Sequence, residues 1–174
     1  AKGIHPIRPD LTRALGMDGL HVGAIGVYHE MIETAIAALG NSGIPVDAVS
    51  TGFPAGLSPF KTRLLEIDES VQAGAKEIDI VISRRHVLTQ NWQELFNEVK
   101  AFRSACGDAH LKTILATGEL GSLRNVARAS MVCMMAGADF IKTSTGKESI
   151  NATLGTSMVM VRAIREYWEK TGFK

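Results

Sequence analysis

Apolar and polar residues follow two patterns along this chain. Short apolar runs, in which every second residue shares a face, predict strands, whereas apolar residues three or four positions apart predict amphipathic helices. Glycines follow most helical segments and predict their ends. Predicted strands cover residues 22–28, 46–52, 77–83, 110–117 and 139–144; predicted helices cover residues 10–16, 30–39, 60–73, 91–105, a segment capped by Ser122 and ended by Gly137, and 155–170.

Strands and helices alternate strictly, and each pair takes about 30 residues, which is the size of a βαβ unit. Such alternation predicts a parallel sheet in a single α/β domain over residues 1–174. Two architectures fit: a complete five-stranded doubly wound sheet, or part of an eight-stranded (β/α)8 TIM barrel, which needs about 250 residues. The pattern alone does not choose between them.

Three consecutive strands each carry a charge within an apolar segment, at Asp79, Lys112 and Lys142. Helices cover both faces of a doubly wound sheet, where these charges would be costly to bury. In a barrel they converge on one interior, near the end where active sites form. The charges therefore favour a partial TIM barrel of about five strands, while a buried ion pair without catalytic duty stays an alternative reading.

A buried lysine beside a second cation can become a nucleophile, because both surroundings disfavour the ammonium form. We expect Lys142 to be this lysine and Lys112, one strand away, to be the neighbouring cation. A neutral amine forms a Schiff base with a carbonyl, and the protonated imine accepts electrons when a carbon–carbon bond breaks. Asp79 is placed to move protons directly or through a water.

The segment after Lys142 predicts a phosphate contact. In Thr145, Gly146 and Lys147, a glycine lets backbone N–H groups approach an anion and a lysine adds charge. The segment is not a Walker A motif, because Ile141 stands where the first glycine is required and Glu148 follows the lysine. A solvated loop without a ligand is the alternative.

Composition excludes several classes of partner. The formal net charge is +1 and no block of like charges occurs, so we expect neither nucleic-acid nor membrane binding. The two cysteines, Cys106 and Cys133, form no CxxC motif and fit buried thiols of a reducing compartment. No targeting or membrane-spanning segment is visible, and we expect a cytoplasmic protein.

Four stretches together resemble the class I deoxyribose-phosphate aldolases. The most specific is the run Gly-Ala-Asp-Phe-Ile-Lys-Thr-Ser-Thr-Gly-Lys at residues 137–147. Residues 52–56 (GFPAG), 77–82 (EIDIVI) and 111–120 (LKTILATGEL) agree, in the expected order. The likeness extends from about Pro6 to Lys174, and the animal-type branch of the family is the most similar.

The resemblance implies a TIM barrel that needs no metal and no cofactor. It implies reversible cleavage of 2-deoxy-D-ribose 5-phosphate to D-glyceraldehyde 3-phosphate and acetaldehyde, in sugar-phosphate and deoxyribonucleotide catabolism, by a homodimer. By position, Lys142 matches the imine-forming lysine, Asp79 the aspartate of the proton relay, and Lys112 a further lysine of the site. Gly146 and Lys147 match part of the phosphate-side loop, and Thr145 a hydroxyl near the substrate.

Several family features differ or are missing. The first strand and the glycine-rich phosphate loops of the last strands are absent, so we expect both ends of the chain to be cut. Lys174 resembles a later active-site lysine, but it follows a helix directly and we expect it to lie in a linker. Gly26 and His29 stand where the family often has Cys and Pro, and Ser83 replaces an Asn.

Three functions remain open from the sequence. The first is an aldolase whose printed sequence is incomplete. The second is a short, inactive relative that acts as a binding module, since five strands of a barrel leave two sheet edges open to pairing. The third is another Schiff-base lyase that acts on a different phosphorylated aldehyde.

Overall fold

The computed structural model describes residues 13–17 and 21–173. Among these residues, the elements with described bounds are five strands in one sheet, six helices and two short 3₁₀ turns, and a helix follows the last strand. The strands are β1 (Ile25–Val27), β2 (Val46–Val49), β3 (Glu77–Val81), β4 (His110–Ile114) and β5 (Phe140–Lys142). The helices are α1 (Ile32–Leu39), α2 (Phe60–Gln72), α3 (Arg84–Leu88), α4 (Trp92–Ala105), α5 (Leu123–Met135) and α6 (Leu154–Thr171), and the 3₁₀ turns are His29–Met31 and Thr117–Glu119.

The order of the strands in the sheet is the order of the strands in the chain. Each strand pairs in parallel with the next, from β1 through β5. A doubly wound sheet reverses its strand order at a switch point, whereas a barrel does not. The five units therefore form an arc of a (β/α) barrel, and the predicted partial barrel is confirmed.

The hydrophobic core lies between the sheet and the helices. Ile78, Ile80 and Leu111 alternate along β3 and β4 toward the helices and are fully buried. Phe102 and Ile67 meet this face from α4 and α2. Because only one face of the sheet packs against helices, the opposite face is left for the interior of the barrel. No helix in the described ranges is both long and apolar enough to cross a membrane.

The strands end earlier than the apolar runs predict. The predicted strand at 110–117 stops at Ile114, because Ala116 takes a left-handed conformation (φ +54°) and the chain turns into the 3₁₀ turn Thr117–Glu119. Helix α3 was not predicted, since five residues are too few to show a helical period. Ser122 caps α5 as predicted, accepting a hydrogen bond from the Asn125 N–H at 3.2 Å. Residues 10–12 of the predicted first helix lie outside the described residues.

Candidate active site

Five charged side chains lie on the interior face of the sheet, on four neighbouring strands. Asp47 of β2 is in register with Glu77 of β3, and Asp79 with Lys112 of β4. Lys142 of β5 is in register with Ile114, two residues after Lys112 and on the same face. We call Asp47, Glu77, Asp79, Lys112 and Lys142 the site cluster.

Lys142 and Asp79 form an ion pair across the sheet. The Nζ of Lys142 donates to Oδ2 of Asp79, which reaches it from β3 past the intervening β4. The Asp79 side chain is 1% exposed and the Lys142 side chain 43%. The sequence predicted a buried lysine, whereas this side chain is partly exposed, since β5 pairs only with β4 among the described strands. The amine is thus held by a buried carboxylate and still reachable by a small carbonyl compound.

Lys112 is held differently, between two carboxylates. Its Nζ forms an ion pair with Glu77 and lies 3.3 Å from Oδ2 of Asp47. Burial alone would lower the pKa of Lys112, but Glu77 and Asp47 outweigh it, so the pKa lies above the ordinary value. Lys112 therefore stays an ammonium at neutral pH, which makes it a fixed cation of the site and a poor nucleophile.

Asp47, like Glu77, is a member of the site cluster for which no role was predicted from the sequence. It is 6% exposed, and its Oδ1 has no hydrogen-bond partner among the described residues. Burial and the nearby charge of Asp79 raise its pKa from 3.8 to about 6, although Lys112 and Lys142 act in the opposite direction. The signal that could have indicated a role for Asp47 is its position as the one charged residue in the otherwise apolar strand Val46–Val49.

The loop that follows β5 carries the predicted phosphate contacts. Gly146 has a φ of +85°, a conformation that favours glycine, and both Gly146 and Lys147 are exposed. The backbone N–H of Thr145 donates to the Glu148 carboxylate at 3.0 Å, and that of Lys147 donates to Oγ1 of Thr145 at 3.1 Å. A phosphate that uses the Thr145 N–H must therefore displace the Glu148 carboxylate.

This loop also touches the loop that follows β4. A Cβ atom placed on Gly118 would overlap the backbone carbonyl of Ile150. Asn151 fixes the same segment by donating to the carbonyl of Glu148 at 2.8 Å. The carboxyl ends of β4 and β5 are therefore joined backbone to backbone, close to Lys142.

The positions that depart from the family pattern mostly face away from the site cluster. His29 contacts Ser70 of α2, with its Nδ1 3.1 Å from the serine Oγ. Ser83 donates to Glu98 through both its backbone N–H and its hydroxyl. Gly26 is the exception, since it is in register with Asp47 and a Cβ there would lie 3.9 Å from Oδ2 of Asp47. Lys174 lies outside the described residues.

A second ionic group, which we call the helix-side cluster, consists of Arg63, Ser83 and Glu98. Arg63 of α2 donates to Glu98 of α4 at 2.9 Å, to Ser83 at 2.8 Å and to the carbonyl of Val81 at 2.8 Å. Both charged side chains are nearly fully buried. The cluster ties the end of β3 to two helices, and an open cavity of about 810 Å³ lies beside it, away from Lys142.

Comparison with known proteins decides the family. The model of the DeoC/LacD family aldolases matches residues 17–169. This chain belongs to that family. The matched range contains the whole site cluster and the loop after β5. Within the described ranges, no group of three or more histidines, cysteines or carboxylates is arranged to hold a metal ion.

Relatives of this DeoC/LacD family chain are similar over nearly its whole length. It is 58% identical to deoxyribose-phosphate aldolase of Mus musculus and 55% identical to that of Homo sapiens, each over 99% of this chain and 56% of the relative. The solved structure of the aldolase QR15 superimposes with a TM-score of 0.78 at 27% identity, over 89% of this chain and 68% of QR15. The chain thus spans little more than half the length of the curated relatives it matches.

Proposed function

We propose that this chain carries the reacting centre of a class I deoxyribose-phosphate aldolase. The proposed reaction is the reversible cleavage of 2-deoxy-D-ribose 5-phosphate to D-glyceraldehyde 3-phosphate and acetaldehyde. The proposal depends on one observation: the two lysines on the interior face differ in exposure and in the number of carboxylates around them. Lys142 is half exposed beside one buried carboxylate, whereas Lys112 is enclosed by two.

In the proposed reaction, the neutral amine of Lys142 attacks the aldehyde carbon of the open-chain sugar, and loss of water gives an imine. The protonated imine withdraws electrons as the bond between the second and third sugar carbons breaks. The hydroxyl of the third carbon loses its proton and becomes the aldehyde of D-glyceraldehyde 3-phosphate. Asp79 is in contact with Lys142 and is the group placed to carry protons in these steps. The cleavage leaves an enamine on Lys142, and a proton added to its terminal carbon turns it into the imine of acetaldehyde. Water then hydrolyses this imine, which releases acetaldehyde and restores the amine.

Lys112 and the loop after β5 have supporting parts in the proposal. The permanent charge of Lys112 stabilises oxygen atoms that become negative during the reaction. Thr145, Gly146 and Lys147 are proposed to contact the phosphorylated end of the sugar, because the exposed lysine and the glycine backbone offer charge and N–H donors. Glu148 is the group that the phosphate replaces at the Thr145 N–H.

Trapping with borohydride tests the imine directly. The protein is incubated with acetaldehyde and sodium borohydride, and the modified residue is located by mass spectrometry of peptides. We expect an ethyl adduct on Lys142 and none in Lys142→Leu. Lys170→Leu is the matched control, because Lys170 is an exposed lysine on α6 paired with Glu166, far along the chain from the site cluster. A folded protein without an adduct would support the binding module instead.

The proposal also includes the cellular location and the oligomeric state of the protein. Burial raises the pKa of both the Cys106 and Cys133 thiols to about 12, so they resist oxidation, and both are free. Free thiols fit a cytoplasmic enzyme. A homodimer is proposed from the family resemblance, and light scattering of the protein in solution measures it.

A further inference from the structure

The charges of the site cluster do not balance. When every member is ionised, the carboxylates of Asp47, Glu77 and Asp79 face the two ammonium groups of Lys112 and Lys142. The third carboxylate leaves one net negative charge on the interior face. A proton on one carboxylate restores neutrality, and geometry decides which of them carries it.

Asp47 is the carboxylate that is least well held. It has only the 3.3 Å contact with Lys112, while Lys112 is closer to Glu77, and Asp79 has Lys142 to itself. Its Oδ1 is buried and has no hydrogen-bond partner in the described part of the chain. On the β1 side its register partner is Gly26, which offers no charge.

Among the described residues, the charged groups that face Asp47 belong to the site cluster or border it. Glu77 and Asp79 face it from β3, Lys112 from β4 and Lys142 from β5. His110 of β4 lies behind Glu77, with its Nδ1 3.6 Å from the Glu77 carboxylate. A change in the charge of Asp47 is therefore felt by both lysines.

We propose that Asp47 is a positioning residue for the two lysines of the site. While it is ionised, it holds Lys112 between β2 and β3 and favours the ammonium form of Lys142. When it is protonated, Lys112 is held by β3 alone and the nucleophilic, neutral form of Lys142 is more readily reached. This inference rests on the proposed imine chemistry at Lys142. The pKa of Asp47 is raised to about 6, so its charge changes near that pH.

The first test measures the rate of borohydride trapping at Lys142 between about pH 5 and pH 8. At each pH, the rate for Asp47→Asn is divided by the rate for wild type. Near pH 5 Asp47 is protonated and the ratio is close to one. As pH rises through about 6 the ratio increases, to roughly threefold to tenfold, the effect of one charge several ångströms away in a partly wet site. A merely structural role would change the ratio equally at every pH.

Asp68→Asn is the matched control, because Asp68 is an exposed aspartate of α2 outside the site cluster. Its ratio is expected to stay near one throughout. A flat ratio for Asp47→Asn, with wild type trapped normally, overturns this inference alone. Absence of trapping in wild type contradicts the proposed function instead.

A second measurement does not depend on turnover. Carbon-13 NMR of the side-chain carboxyls follows the titration of Asp47 in wild type, Lys112→Met and Lys112→Arg. Loss of the cation in Lys112→Met raises the pKa of Asp47 further, because Lys112 lowers it through charge and a hydrogen bond. Lys112→Arg keeps the charge and holds the pKa near 6. An unchanged titration in Lys112→Met would overturn the link between the two residues.

Discussion

The site cluster and the helix-side cluster both contain buried ionic groups, yet their hydrogen bonding differs. In the helix-side cluster, Arg63 makes bonds to three partners and Glu98 accepts from both Arg63 and Ser83. Only the Nε of Arg63 lacks a partner among the described residues, and the guanidinium lies 4.8 Å from the centre of the Phe102 ring. In the site cluster, one oxygen of Asp47 and one of Asp79 have no partner within the same limits.

The difference in hydrogen bonding matches different roles for the two clusters: one fixes neighbouring elements of the fold, and the other is proposed to take part in the reaction. A guanidinium is always charged and its planar donors match several acceptors at once, so it fixes neighbouring elements. A lysine amine can lose its proton, and carboxylate oxygens that lack donors can accept one. The incomplete hydrogen bonding of the site cluster fits the proton transfer that we propose for it, whereas the helix-side cluster ties the end of β3 to two helices.

Removal of the cation from the helix-side cluster is expected to have the largest effect on stability. Arg63→Met leaves Glu98 buried without its partner and should lower the free energy of unfolding by about 3–5 kcal/mol, measured by urea denaturation. Arg63→Met combined with Glu98→Leu should recover much of the loss. Arg165→Met, at an exposed pair on α6, is the control and should leave the free energy of unfolding almost unchanged, because water screens the pair. Equal effects at Arg63 and Arg165 would contradict the comparison.

The second effect concerns pH. The pKa of Asp47 is raised from 3.8 to about 6 in the folded protein, so between these values the folded state binds more protons than the unfolded state. Stability from Asp47 is therefore present below about pH 4 and is lost as pH rises through 6. Asp47→Asn removes the dependence, and its stability relative to wild type should increase by about 2–3 kcal/mol between pH 4 and pH 7. Urea denaturation at both pH values measures this; a constant difference would show that Asp47 titrates normally.

The smallest effect on stability is expected at the proposed nucleophile. Lys142→Leu should lower the free energy of unfolding by roughly 1–2 kcal/mol, because the buried Asp79 carboxylate loses its ion pair but keeps the charge of Lys112 beside it. The same substitution removes the proposed imine completely. Thermal unfolding and borohydride trapping of one preparation check both results. A loss of stability as large as that of Arg63→Met would place Lys142 among the holding residues.

The sequence predicted the fold well because each βα unit is specified locally. Alternation placed Asp79, Lys112 and Lys142 on their strands, and shared faces brought them to one interior. It could not show which carboxylate each lysine contacts, since that depends on side chains from strands that are distant in the chain. Lys142 was expected beside both Lys112 and Asp79; the structure pairs it with Asp79 and holds Lys112 between Asp47 and Glu77.

The sequential strand order also sets a schedule during synthesis. Lys112 follows Asp47 by 65 residues, and Lys142 follows Asp79 by 63. At a translation rate of about 5–20 residues per second, each aspartate leaves the ribosome roughly 3–13 s before its lysine. Before its lysine is made, burial of an ionised aspartate is costly because its charge has no partner. Each carboxylate is therefore expected to stay in contact with water during that interval. Burial of each aspartate on the interior face is thus expected only after its lysine has left the ribosome.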